Sequence, residues 1–114
     1  MEGKNKQKGS IVFTPDFLEI TDDLAFVMFI EGYFGFIEDA EKYINKIYDY
    51  IEENIFTYPS KNTPKNLSKY GEKYMIYKAN NNTTWYIFFS QINSMYAIKF
   101  ITNNHSNFIS QINL

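Results

Sequence analysis

"TTWYIFF", residues 83–89, decides how this chain is read. A strand with one wet face alternates apolar and polar residues. Here Trp85, Ile87 and Phe89 fall on one parity and Tyr86 and Phe88 on the other. Both parities are apolar, so the stretch predicts a central strand covered on both faces. "NNN" before it and "QINS" after it are turn signals. "EKYMIYKA" (72–79) and "MYAIKFIT" (95–102) then supply a strand on either side, as a three-stranded antiparallel meander.

What precedes the meander is mostly helical. Thr14-Pro15-Asp16 reads as a helix start, with a threonine cap, proline at the first helical position and an acid in the first turn. Phe17, Ile20, Leu24 and Val27 recur at helical spacing, which predicts a helix over about residues 15–31. Gly32 and Gly35 break it. A second helix follows, with Ile37, Ala40, Ile44, Ile47 and Ile51 as one apolar stripe. Its opposite face carries Glu38, Glu41, Lys42, Asn45, Lys46, Asp49 and Glu52, and Tyr43, Tyr48 and Tyr50 flank the stripe. It should end near Asn54. Residues 57–71, with Pro59, Pro64 and Gly71, read as a long loop. A short β-rich stretch, Ile11 to Phe13, precedes the first helix.

The fold class is therefore α+β: an N-terminal strand, a two-helix hairpin, then the meander, forming a small sheet with helices on one face. Residues 11–108 read as one domain, 1–10 as a flexible basic arm and 109–114 as a C-terminal tail. The basic start lacks the apolar core of a secretory signal. The apolar run Leu24 to Ile30 is too short to span a membrane.

Composition narrows the function classes. With no cysteine there is no disulfide framework and no thiolate metal site, which fits a cytoplasmic location. One histidine and scattered carboxylates do not make a metal centre or call for a cofactor. All 11 basic residues are lysines and the net charge is −2, a poor composition for tight nucleic-acid binding, where arginine forks dominate.

One polar set is of interest. Lys78 closes the first meander strand, Tyr86 lies in the second and the sole histidine, His105, follows the third. Neighbouring strands bring such positions within reach of one another. Lysine, tyrosine and histidine together orient a phosphodiester, stabilise its charge and move protons. Lys61, Lys65, Lys69 and Lys73 would add diffuse attraction for a polyanion such as RNA. A structural reading stands beside this: a solubilising lysine before a turn, a packed strand tyrosine, and a histidine satisfying loose backbone.

The strings "EGYFGFIEDAEKYINKIYDYIEEN", "YGEKYMIYKANNNTTWYIFF" and "YAIKFITNNHS" add a further pointer. In that order they resemble the RelE/ParE superfamily of toxin–antitoxin toxins, in its compact RelE-like, plasmid-stabilisation-type branch, over roughly residues 11–108. The resemblance implies a cytoplasmic toxin held by a cognate antitoxin. In the RelE branch it implies metal-independent cleavage of ribosome-bound mRNA, with His105 as general acid or base, Lys78 as phosphate anchor and Tyr86 as positioning group. In the ParE branch it implies blockade of a protein target, DNA gyrase, with no RNA cut. Tyr86 stands about where the family has an arginine, and Phe108 about where it has a terminal tyrosine.

Overall fold

The computed structural model describes residues 9–105. Eight elements follow in order. Strand β1 is Ser10–Phe13, helix α1 Pro15–Ile30, helix α2 Ile37–Asn54 and strand β2 Lys61–Asn62. A 3-10 helix, Lys65–Tyr70, leads into β3 (Lys73–Lys78), β4 (Thr84–Ile92) and β5 (Met95–Asn103). The tail at 109–114 and Phe108 lie outside the described residues, as does the arm apart from Gly9 and Ser10. Ser10 already belongs to β1.

The architecture is α+β with a mixed five-stranded sheet in the order β1-β5-β4-β3-β2. It differs from the expected sheet in two ways. A two-residue strand, β2, forms inside the stretch read as loop and pairs antiparallel with β3. The N-terminal strand joins the sheet beside β5, in parallel, with Phe13 opposite Ile98. Two helices separate β1 from the other strands, so the chain has the length it needs to return in parallel.

β4 lies at the centre and is buried from Trp85 to Ser90. Its two faces have different covers. Trp85, Ile87 and Phe89 meet α1 and α2, together with Met75, Ile98 and Ile101. Tyr86 and Phe88 meet Leu67 of the 3-10 helix, with Tyr74, Tyr70, Ile76 and Phe100 around them. A bulge adjusts β5 to this arrangement. Phe88 pairs with Phe100 and Phe89 with Ile98, leaving Lys99 as an extra residue. Ile98 and Ile101 thereby both reach the helix-covered core while Phe100 packs on the other side.

The helices are placed by the cap of α1 and the tyrosines of α2. Thr14 caps α1, its side chain accepting from the Phe17 amide at 3.2 Å, and its hydroxyl donates to the Ile98 carbonyl at 3.1 Å. α2 buries Ala40, Ile44, Ile47 and Ile51 of the expected stripe, with Ile37 half-buried at its start. Tyr48 shares a 2.7 Å hydrogen bond with the buried Thr21 of α1. Tyr50 donates to the Ile76 carbonyl at 2.7 Å, tying α2 to β3. α1 presents Phe17, Thr21 and Ala25 inward, whereas Val27, expected on the inner face, is 47% exposed. Its C-terminal half is apolar on nearly every side, so spacing alone does not select the inner face.

Gly71 sets the 3-10 helix against the sheet. Its φ of 152° and ψ of 141° lie in a region that only glycine adopts freely. A Cβ there would stand 2.6 Å from the Phe89 backbone nitrogen. Gly71→Ala is expected to lower stability by about 1–3 kcal/mol or more, read as a reduced urea midpoint at unchanged slope. Burial raises the hydroxyl pKa of Tyr48, Tyr74 and Tyr86, and burial together with Tyr58 and Tyr77 raises that of Tyr50 to about 12. A raised folded-state value favours the neutral phenol, so this stability is complete below pH ~10, the ordinary tyrosine value. It is lost as pH climbs towards 12. Denaturant midpoints should fall through that alkaline window, and the fall should be smaller in Tyr50→Phe.

Candidate functional site

The end of the sheet where β3 turns into β4 is built largely from amides. The Asn80 side-chain oxygen accepts from the backbone amides of Asn82 and Thr83, at 2.8 and 2.9 Å, and so closes the turn. Asn104, just beyond β5, then fastens that turn. Its side-chain oxygen accepts from the Thr84 amide at 2.9 Å and its side-chain nitrogen donates to the Asn82 carbonyl at 3.1 Å. Asn103 accepts from the backbone amide of His105 at 2.9 Å. The run "TNNH" thus receives its shape from its own asparagines.

α1 ends above this point. The amide of Gly32 donates to the Phe29 carbonyl at 3.1 Å and that of Tyr33 to the Met28 carbonyl at 2.9 Å, with Gly32 at φ 85°. That pair of bonds is a Schellman motif, which brings the residue after the glycine back over the last helical turn. Tyr33 and Met28 accordingly line the same cavity.

The cavity measures about 290 Å³. Its walls are aromatic: Tyr33 and Phe34 from the inter-helix turn, Tyr43 from α2 and Trp85 from β4. Phe34 and Tyr43 lie 5.6 Å apart, and Tyr43 and Trp85 6.3 Å apart in an edge-on contact. The indole nitrogen of Trp85 donates to the Tyr43 hydroxyl at 3.0 Å. The rim is polar, made by Asn80, Thr83, Asn103 and His105. The imidazole is exposed and makes no hydrogen bond among the described residues.

The residues singled out in the sequence do not meet here. Lys78 sits opposite Thr84, and Tyr86 opposite Ile76, so Lys78 and Tyr86 share the face that the 3-10 helix covers. Tyr86 is buried there against Tyr74, 6.2 Å between rings. His105 lines the cavity on the helix side, next to Trp85. His105, placed by its cavity on the side of Trp85, is thus separated by the sheet from Lys78 and Tyr86. Lys61, Lys65 and Lys69 are exposed and Lys73 is half-buried. They belong to β2, the 3-10 helix and β3, and the 3-10 helix serves as a cover for the sheet as well as a bearer of charge. Among the described residues no three His, Cys, Asp or Glu side chains gather to hold a metal ion, and no helix is long and apolar enough to cross a membrane.

Sequence reasoning missed the aromatic cavity. Its signal was present as paired aromatics between Gly32 and Gly35 and as asparagines at the β3–β4 turn and the end of β5. Asn104→Ala removes two side-chain hydrogen bonds at an exposed site and should cost about 1 kcal/mol. Hydrogen exchange at the Thr84 amide should quicken in that variant while amides of α2 remain protected. Compared with protein-family models, with curated proteins and with solved structures, the chain finds no match.

Proposed function

We propose that this chain is the toxin-type member of a toxin–antitoxin module and that it acts by gripping a protein target, not by cutting RNA. The observation that carries this reading is the division of the polar set: His105 on the cavity rim, Lys78 and Tyr86 on the opposite face. Phosphodiester cleavage needs its acid, base and charge-stabilising groups around one reacting phosphate. The lack of arginine and the net charge of −2 weigh the same way.

The surface offers a grip. Phe26, Ile30, Tyr33 and Phe36 are 59, 61, 71 and 68% exposed, all within the end of α1 and the turn after it. Large apolar side chains left in water in one region mark protein contacts. Aromatic anchors of this kind carry much of the energy of such contacts. The order of strand, helix pair and strands also supports the toxin-type assignment.

The test is induced expression in a bacterial host, reading growth and message integrity together. Wild type and His105→Ala should both arrest growth and leave message intact. Phe26→Glu/Ile30→Glu changes two exposed positions and should weaken arrest at least about tenfold. Message cleavage that disappears with His105→Ala would return the endoribonuclease reading. Growth unaffected by the wild type would remove the toxin reading altogether.

A further inference from the structure

The cavity beside His105 has a chemistry of its own, and shares only Tyr33 with the exposed apolar patch. Its walls are largely aromatic, with the Trp85 indole almost wholly buried behind them, and Leu24 and Met28 add apolar surface. The one polar atom of the indole is already bonded to Tyr43. Such walls favour a flat, polarisable guest over an aliphatic one. At about 290 Å³ the space lies at the small end of ligand sites, which start near ~300 Å³.

The rim narrows the choice further. The side-chain oxygens of Asn80 and Asn103 are both taken by backbone amides. Because only an oxygen accepts from those amides, each carboxamide has a fixed orientation. Neither carboxamide nitrogen has a hydrogen-bond partner among the described residues. The rim residues therefore carry two carboxamide NH₂ groups of fixed orientation, alongside the Thr83 hydroxyl and the His105 imidazole, which adapt. A guest that satisfies them presents acceptors along its edge. No lysine, aspartate or glutamate lines the space. A phosphate or carboxylate would enter with no fixed opposite charge and would be penalised by desolvation.

We propose that this cavity binds a free, uncharged, planar nitrogen heterocycle of nucleobase class, as base or nucleoside. The ring lies against Tyr33 and Phe34, close to the buried Trp85, and its edge acceptors meet the amide nitrogens of Asn80 and Asn103.

Trp85 is the sole tryptophan, so its emission reports on this cavity directly. The full chain is titrated with the common bases and nucleosides, with indole as a ring poor in acceptors, and with a single-stranded RNA oligonucleotide. Saturable change is expected with at least one base or nucleoside, and binding at least about tenfold weaker with indole. Asn103→Asp keeps the oxygen that accepts from His105 but removes the donors, and should weaken binding at least about tenfold. Tyr33→Ala, at a position 71% exposed, removes one wall without touching the core and should also weaken it. Three outcomes would overturn the proposal. They are no saturable change with any base or nucleoside up to millimolar concentration, indole binding as well as the bases, and RNA binding more than about tenfold tighter than every nucleoside.

Discussion

Both faces of β4 must be kept dry, and the rest of the molecule is arranged around that need. Phe88 and Phe89 are adjacent and both almost wholly buried, so each points into a different core. One core is closed by α1 and α2. The other is closed by a single leucine, Leu67, and the aromatic rings about it. Two dissimilar covers demand different lengths of chain. The helix pair fills the space between β1 and β2, and the short 3-10 turn closes the far side just before β3. The bulge at Lys99 belongs to the same solution, since it lets β5 supply Ile98 and Ile101 to one core and Phe100 to the other.

How much of this was legible depends on how regular each pattern is. α2 could be read almost residue by residue, because its charged face and its isoleucine stripe are cleanly divided. α1 could be placed but not oriented: Phe26, Val27 and Ile30 look as apolar as the residues that are buried, and only packing shows which side faces in. The segment 57–71 has the composition of a solvated loop, and one leucine among lysines, serines and asparagines gives no periodic signal. Its role as a lid follows from the Gly71 geometry, which no spacing rule encodes.

The same distinction governs the site. The register of β3 against β4 places Lys78 and Tyr86 on one face, because both lie inside regular strands. His105 lies beyond the last strand residue, where alternation no longer applies and asparagine side chains set the path of the chain. Its company of aromatic rings comes from the inter-helix turn, from α2 and from β4, all distant in sequence. A site assembled from three chain segments through tertiary packing leaves only scattered traces in a linear reading.

The parallel pairing of β1 with β5 has a consequence in time. Thr14 bonds to Ile98 across 84 residues, so the first strand finds its neighbour only when nearly the whole described chain exists. Contacts of such high sequence separation close slowly, because much chain entropy is lost before any bond rewards it. As the chain leaves the ribosome, β1 and α1 appear first and β5 last. Until β5 arrives, Ile11, Phe13 and Phe17 lack the strand they pack against. A nascent chain of this protein therefore carries an open apolar seam through most of its synthesis, and a partner that binds that seam early competes with β5 and delays closure.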